Sequence, residues 1–176
     1  MAGSSFLRAA VLRALQCENG AARGEKVGHL LWDMKKFYDS VRLPDLAREL
    51  WKRKYPQHLL ILGFMTHAGR RVLKVGKSLG PTITDCSNSM VAGCQQAVSW
   101  ARGILRELVE KLSLVDPEFP VHVHVDDLSH VLVAETNNEL ERKLLEAGRI
   151  VGREVKSLSL ALADKSRLIL ETPTTI

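Results

Sequence analysis

The sequence is poor in cysteine, which excludes a disulfide framework. Its 176 residues include three cysteines, Cys17, Cys86 and Cys94, and no C-x-x-C pair. Small secreted domains that depend on disulfides carry an even number of closely spaced cysteines. We therefore expect reduced thiols and an intracellular protein, in the nucleus or the cytoplasm.

Long apolar runs are also missing. No stretch approaches the roughly 18 to 20 residues that a membrane-spanning helix needs. There is no internal repeat, low-complexity segment or linker. The first 16 residues contain no acid and carry Arg8 and Arg13, a composition found in transit peptides. Their apolar spacing also suits an amphipathic helix, and we interpret them as an ordinary first helix without mitochondrial targeting.

What remains is the composition of a globular domain with a basic excess. Hydrophobic residues make up 45% of the chain, and 25 lysines and arginines against 20 acids give a net charge of +5. The length is enough for one domain with a real core. A basic excess fits an anionic partner, of which nucleic acid is the commonest.

Segments with helical and with strand periodicity interleave along the chain. The predicted order is α-β-α-α-ββ-α-ββ-α-ββ, without a regular βαβ repeat. This order favours an α+β fold with an antiparallel sheet packed on helices. The predicted elements are a first helix ended by Asn19-Gly20, a buried strand over 27–32, a helix from Pro44 with Leu46, Leu50 and Trp51 inward, a buried helix over 57–68, a basic ribbon over 70–84, a helix from Ser87 or Ser89 to Leu112, a hairpin over 120–134, a helix from Thr136 through Val151, and a last hairpin of 158–162 and 168–170.

The stretch over 120–134, PVHVHVDDLSHVLVA, has strand periodicity on both sides of two adjacent aspartates. Three valines alternate with His122, His124 and Asp126, and the apolar run after the aspartates favours a return strand. Aspartate is common in tight turns, because its side chain accepts hydrogen bonds from nearby main-chain donors. The pair is therefore either a solvated turn or, because adjacent carboxylates repel each other, a site for a cation.

A third carboxylate, Asp33, follows the predicted buried strand directly. If that strand neighbours the hairpin in one sheet, Asp33, Asp126 and Asp127 converge at one edge. Hard oxygen ligands suit Mg²⁺, which usually completes its octahedral shell with water and substrate phosphates. Two such ions can activate a hydroxyl and stabilise a leaving pyrophosphate in phosphoryl transfer.

Four segments, taken in order, resemble the palm motifs of reverse transcriptases. Asp33-x-x-x-x-Tyr38-Asp39, followed by Ser40-Val41, resembles the first motif, and Val91-Ala92-Gly93-Cys94 resembles the second. His124-Val125-Asp126-Asp127 resembles the aromatic-x-Asp-Asp hairpin of the third. Leu160-x-Leu162-x-x-Lys165-Ser166 looks like the fourth, in which a lysine follows a strand. The resemblance covers most of the chain and is closest to retroelements without long terminal repeats, a class of retrotransposon.

The resemblance implies a fold and an activity. It implies a palm-like antiparallel sheet packed on helices, with part of the fingers and no thumb, that works as an RNA-directed DNA polymerase. Residues 1–26 would be a finger-like or lead-in helix and loop, and residues 27–176 the palm-like domain. Asp33 and Asp126 would be the main ligands of Mg²⁺ or Mn²⁺, with Asp127 a third, weaker or supporting acid. Lys165 would neutralise or protonate the departing pyrophosphate.

The resemblance also implies contacts with nucleotide and nucleic acid. Tyr38 falls where the family places an aromatic ring against the incoming sugar, which would favour deoxynucleoside triphosphates. Met34 and Phe37 complete the nucleotide-binding set with Gly93, whose main chain would approach template or nucleotide. Four basic residues of the ribbon would follow the phosphates of a template and primer, unless they form only a solvated face: Arg70, Arg71, Lys74 and Lys77.

Three departures from the family pattern accompany the resemblance. His124 stands where an aromatic residue is usual, and Ala92 where a glutamine is common. The finger elements that hold the triphosphate, and the thumb, are largely missing. We therefore expect a piece of a larger polymerase, with little activity on its own.

Two other interpretations stay open. His122-x-His124-x-Asp126, with His130 nearby, resembles the zinc cluster of metallo-β-lactamase-like hydrolases, in which three protein ligands leave one position open. Position 127 is Asp rather than His, however, and no histidine follows His130. The zinc interpretation also gives Asp33 no role. The second alternative is a catalytically inactive palm remnant that binds nucleic acid.

Overall fold

The computed structural model describes residues 6–84, 86–91, 93–125 and 127–171 of the chain. These residues form an antiparallel sheet, a separate ribbon and six helices, so the predicted α+β class is confirmed. None of those helices is long and apolar enough to cross a membrane. In chain order the elements are α1 Phe6–Ala22, β1 Lys26–Trp32, α2 Phe37–Ser40, α3 Leu43–Lys52, α4 Gln57–His67, β2 Arg71–Val75, β3 Ser78–Ile83, α5 Gln95–Leu112, β4 His122–His124, β5 Asp127–Ala134, α6 Asn137–Ser157 and β6 Arg167–Glu171.

The chain divides into two compact units. The first, which we call the sheet unit, comprises Met1–Met34, Glu107–Ser157 and Ala161–Ile176. The second, which we call the ribbon unit, comprises Lys35–Arg106 and Leu158–Leu160. The long helix α5 therefore begins in the ribbon unit and ends in the sheet unit.

The sheet unit is built on four antiparallel strands in the order β4-β5-β1-β6. Residues 128–134 of β5 are buried, because both faces of the strand are covered. On one face, Cys17 of α1 packs with Val27, Val131 and Val133 in one apolar cluster. A strand buried on both faces is usually apolar along most of its length, as β5 is at Leu128 and from Val131 to Ala134, whereas Ser129 and His130 are buried polar residues.

Helix α6 covers the opposite face of the sheet. Gly28 points to that face, and a Cβ atom there would lie 3.2 Å from the side chain of Leu144. Glycine thus lets α6 approach β1 without displacing that leucine. The helix begins as predicted, because the Glu139 N–H donates to Thr136 Oγ at 3.2 Å, one half of a capping box. The buried residues of α6 recur at helical spacing: Leu140, Ala147, Val151 and Val155.

The ribbon unit packs α3 and α4 against the first part of α5. Gly63 of α4 lies against the fully buried Trp100, and Gly103 of α5 lies against Leu50 of α3. A Cβ atom at either glycine would collide with its neighbour, so both helices depend on glycine for their close approach. Strands β2 and β3 form the predicted basic ribbon, in which every residue except Arg71 is exposed.

Residues 87–91 and 93–94, which precede α5, are not helical, although their apolar spacing predicted a helix from Ser87 or Ser89. The helix begins at Gln95. A residue whose N–H is bound to a distant partner cannot donate to the carbonyl four residues back, so the helix starts later. Three such bonds run from the Ser89 N–H to Val41 O, from the Met90 N–H to Tyr38 O, and from the Val91 N–H to His67 Nδ1.

Two expectations about helix faces are also wrong. Trp51 was predicted inward but is 61% exposed. Successive helical residues are turned by about 100°, which takes Trp51 out of the apolar stripe that ends at Leu50. Helix α4, predicted to be buried, exposes Ile61, Leu62 and Met65, because its apolar residues surround it on all sides and its neighbours cover only one.

Residues 158–162, all within the described part of the chain, do not form the predicted strand. Ser159 has a φ of +56°, in the left-handed region, which an extended strand cannot contain. Leu162 makes an isolated antiparallel bridge to Met34 instead. The last hairpin is thereby reduced to β6, which pairs with β1.

Candidate functional site

The end of β1 and the start of β5 meet at one end of the sheet. Trp32 is paired with Leu128 in the antiparallel register of these strands. Asp33 follows Trp32, and Asp127 precedes Leu128 on the antiparallel strand. The two aspartates therefore occupy facing positions just beyond the last pair. Two of the three predicted carboxylates therefore lie at the same end of one sheet.

The turn over 163–166 holds the main chain of Asp33. The Asp33 N–H donates to Ser166 Oγ at 3.2 Å, and the Ala163 N–H donates to Asp33 O at 2.8 Å. The turn is itself closed by the Ser166 N–H, which donates to Ala163 O at 3.0 Å. Since one turn satisfies both main-chain polar groups of Asp33, its Cα is fixed and only its side-chain torsions can adjust.

Lys165 supplies a counter-charge to Asp33. Its Nζ lies 2.7 Å from Asp33 Oδ2. The Asp33 side chain is 14% exposed, whereas the Lys165 side chain is 71% exposed. An ion pair with one solvated partner adds little to stability. Its consequence is local: a solvent-exposed cationic group stands beside the Asp33 carboxylate at the end of β1.

The hairpin between β4 and β5 closes through a two-residue loop. His124 pairs with Asp127, which leaves residues 125 and 126 between them. Val125 has a φ of +61°, a value that two-residue hairpin loops require and that β-branched residues rarely adopt. Such strain costs about 1–3 kcal/mol and is concentrated at functional sites. Asp126 lies outside the described residues, so its role as a metal ligand stays a prediction.

The donor atoms at this end of the sheet are of the kind that Mg²⁺ prefers. Asp33 and Asp127 carry hard carboxylate oxygens at facing positions. In the part of the chain that the structure describes, which omits Asp126, no three His, Cys, Asp or Glu side chains form a group that could hold a metal ion. That Asp126 completes such a group stays a prediction.

The histidines near the hairpin are divided between the two faces of the sheet. His122 pairs with Ser129, and His130 is the next residue, so their side chains point to opposite faces and cannot share one zinc ion. Burial, and after it the charge of Arg13, lowers the pKa of His122. Burial also lowers the pKa of His130, to about 4. His122 and His124 are two residues apart in β4 and therefore share one face, and because Asp126 lies outside the described residues the zinc alternative stays a prediction.

The predicted nucleotide-binding residues have different surroundings. Met34 of the sheet unit and Phe37 of the ribbon unit are 2% and 1% exposed, so their side chains lie in the interior. Tyr38 is half-buried, and its ring meets that of Phe37 edge to face with centroids 5.6 Å apart. Gly93 is exposed with a φ of +83°, a conformation that favours glycine. A Cβ atom at Gly93 would meet nothing within 4 Å.

Arg71 is turned towards the segment before α5. Its guanidinium donates to His67 O and, at 3.1 Å, to Ser89 O. Ser89 Oγ in turn donates to Asp39 Oδ1 at 3.5 Å. Arg71 thus ties the ribbon to the first and second motifs instead of facing solvent. The other three basic residues of the predicted nucleic-acid set are exposed: Arg70, Lys74 and Lys77.

Sequence reasoning missed the positions of Ser166 and Ser89. Ser166 had one available sign, its place beside Lys165 in the fourth motif. Ser89 had none, because its φ of +80° and its partners are set by residues far away in sequence. Both serines act on a motif aspartate, Ser166 through the main chain of Asp33 and Ser89 through the side chain of Asp39.

Comparison with known proteins gives a similar fold and no family. No family model and no curated sequence match the chain. Among solved structures, 32 chains match. One is apo telomerase from Candida tropicalis truncated from its C-terminal domain, with a TM-score of 0.68 and 12% identity. The match covers 99% of this chain and 37% of the telomerase chain, so this chain spans little more than a third of that length.

Proposed function

We propose that the chain is the palm of a reverse transcriptase-like nucleotidyltransferase, which extends a primer with deoxynucleotides on an RNA or DNA template. The observation that carries this proposal is the place of Asp33 opposite Asp127, with Lys165 Nζ 2.7 Å from Asp33 Oδ2. Two further facts support it. The four motifs occur in order along the sequence, and the fold is similar to that of a telomerase.

Asp33, Asp126 and Asp127 would hold Mg²⁺ or Mn²⁺. When bound, such ions activate the primer hydroxyl and neutralise charge that develops on the phosphates. The chain's own contribution is to hold the ligands in place. The 163–166 turn fixes the main chain of Asp33, and the β4–β5 pairing fixes Asp127 at the start of its strand. Rigid ligands lose little entropy when the ion binds.

Lys165 and Tyr38 would act on the two ends of the incoming nucleotide. Lys165 is 71% exposed, so its ammonium group can leave Asp33 and follow the departing pyrophosphate. Tyr38 would exclude a 2′-hydroxyl from the sugar site. Met34, Phe37 and Gly93 would complete the nucleotide-binding set.

Template and primer would be held in part by the ribbon. Arg70, Lys74 and Lys77 are exposed along β2 and its turn. Phosphate contacts of this kind give affinity that is independent of sequence and falls steeply with salt. Arg71 would hold the ribbon in place through its hydrogen bonds to His67 O and Ser89 O.

The chain would work within a larger polymerase. In this assignment residues 1–26 are a lead-in to the palm of residues 27–176, and the remaining fingers and the thumb are separate parts. The triphosphate and the duplex need those parts. A retrotransposon polymerase is the class that the motifs resemble most.

Primer extension tests this function. The longest natural polypeptide that contains this chain is given an annealed template and primer, deoxynucleotides and Mg²⁺. Asp33→Asn and Asp126→Ala should each lower the rate at least about 1,000-fold, because a catalytic metal supplies several kcal/mol of transition-state stabilisation. Asp164→Asn, an exposed acid in the 163–166 turn, is the control and should retain activity.

Two outcomes would contradict the proposal. Undiminished extension by Asp126→Ala would show that the catalytic assignment is wrong. A wild-type chain that binds template and primer in a salt-dependent way, yet extends nothing with Mg²⁺ or Mn²⁺, would identify an inactive nucleic-acid-binding remnant.

A further inference from the structure

Strand β6 is an outer strand of the sheet. One of its edges pairs with β1 over five residues, from Arg167 opposite Leu31 to Glu171 opposite Val27. Its other edge meets no strand among the described residues. The main-chain N–H and C=O groups along that edge are therefore available to another strand.

The side chains of β6 leave apolar surface uncovered on both faces of the sheet. Leu168, Ile169 and Leu170 are 49%, 44% and 57% exposed. Because they are consecutive, two of them point to one face and one to the other. Edge strands usually carry a central charge, a proline or a bulge that blocks a second strand. The centre of β6 has none of these.

The sequence of β6 is complementary to itself. The strand reads RLILE, with a basic residue first and an acidic residue last. If two copies pair in antiparallel fashion about Ile169, Arg167 of each stands opposite Glu171 of the other. Leu168 then stands opposite Leu170, and Ile169 opposite itself. Opposite charges and apolar pairs at directly facing positions are the contacts that stabilise antiparallel strands.

We propose that β6 pairs with β6 of a second copy of this chain, in a two-fold dimer that joins two four-stranded sheets into one. The interface is isologous, since the same five residues serve both copies. A strand pair of this length buries less than the standard interface of about 1,600 Å². The dimer should therefore be weak, with a dissociation constant on the order of 10 µM or above.

Charge exchange at the two ends of β6 tests the register. The full chain is studied by sedimentation equilibrium at concentrations up to about 1 mM, well above the expected dissociation constant. Arg167→Glu makes both ends of β6 acidic, and Glu171→Arg makes both ends basic. Each variant alone should dissociate at least about tenfold more readily than the wild type, because like charges then face each other twice.

The decisive sample is the mixture of these two variants. Chains with acidic ends and chains with basic ends are complementary to each other, so the mixture should recover the wild-type affinity as a heterodimer. The double variant, with both charges exchanged, should also recover it. Ile169→Lys should abolish association by placing two cations at the dimer axis.

Met65→Lys is the matched control. Met65 is 71% exposed on α4, away from β6 in the chain, so this variant should dimerise as the wild type does. A monomeric wild type at every concentration would overturn the proposal. Three other results would assign dimerisation to another surface. They are association that survives Ile169→Lys, loss of association in Met65→Lys, and a mixture of the two charge variants that does not recover the wild-type affinity.

Discussion

At the scale of single residues, the site depends on a serine that is far from the aspartate it holds. Ser166 and Asp33 are 133 residues apart in the chain, yet the Asp33 N–H donates to Ser166 Oγ. The same turn carries Lys165, whose ammonium group contacts the Asp33 carboxylate. One short segment thus fixes the main chain of the first motif aspartate and supplies its counter-charge.

We expect Ser166→Ala to loosen Asp33. The change leaves the part-buried Asp33 N–H without its acceptor, which costs about 1 kcal/mol of unfolding free energy. Urea denaturation measures that loss, and primer extension should fall with it, whereas Ser166→Thr keeps the hydroxyl and should retain both. Ser113→Ala, which removes a hydroxyl that donates to Val109 O just after α5, is the control for losing a serine. Equal activity in Ser166→Ala and wild type would refute the positioning role.

His130 should make the fold sensitive to acid. Burial lowers its pKa to about 4, against an ordinary value of 6.5 that applies in the unfolded chain; neighbouring Asp116 opposes the shift, and His122 and His29 reinforce it. The folded state therefore binds this proton more weakly. Its contribution to stability is complete above pH 6.5 and is lost as the pH falls towards 4, a difference on the order of 3 kcal/mol.

Urea denaturation at pH 7 and pH 4.5 checks this pH dependence. His130→Leu fills the same buried position without a titrating group, so its stability should fall less between the two pH values. Some slope should persist, because burial also lowers the pKa of His29, His67 and His122. An identical slope in wild type and variant would show that His130 is not the group responsible.

At the scale of elements, β5 extends beyond its neighbour β4. The β4 pairing ends at Ser129, so among the residues that the structure describes no strand lies beside that edge of β5 further along. Side chains replace the strand: the Val133 N–H donates to Asp116 Oδ2 at 3.0 Å, and Lys143 Nζ donates to Val133 O. Lys143 and Asp116 also form an ion pair at 3.1 Å, with side chains 13% and 5% exposed. This pair ties α6 to the outer edge of the sheet.

We expect the removal of either partner to be costly. Asp116→Asn or Lys143→Met leaves one charge buried without compensation, which should lower the unfolding free energy by about 3 kcal/mol. The double variant should lose less than the sum of the single losses. Glu139→Gln is the control, because Glu139 lies 3.7 Å from Lys143 and is 39% exposed. Additive losses in the double variant would mean that the two groups are not coupled.

The elements that could be predicted are those whose own residues already specify a buried face. The apolar run of β5 and the helical spacing of α6 gave correct predictions, because each strand or helix buries a face that its residues already specify. The segment over 87–91 could not be predicted in this way. Its N–H groups bind Val41 O, Tyr38 O and His67 Nδ1, partners that only the tertiary fold brings near.

At the scale of the whole molecule, the sequence was enough to predict that Asp33 and Asp127 lie at the same end of one sheet. It required only that a buried strand and a hairpin be neighbours in one sheet, and β1 and β5 are. It could not supply the register, which sets whether the two acids face each other or point to opposite faces. Nor could it show which basic residues of the ribbon are exposed to solvent: Arg71 is turned inward, whereas Lys74 is exposed.

The most direct test is to map a bound divalent ion on the polypeptide. Fe²⁺ can replace Mg²⁺ at sites of oxygen ligands and, with ascorbate and peroxide, cleaves the chain beside its ligands. The predicted result is cleavage at two places, next to Asp33 and next to Asp126-Asp127, that excess Mg²⁺ suppresses and Asp33→Asn abolishes. Cleavage confined to the neighbourhood of His122 and His124, unchanged in Asp33→Asn and suppressed by Zn²⁺ but not by Mg²⁺, would contradict a metal site built from the three aspartates.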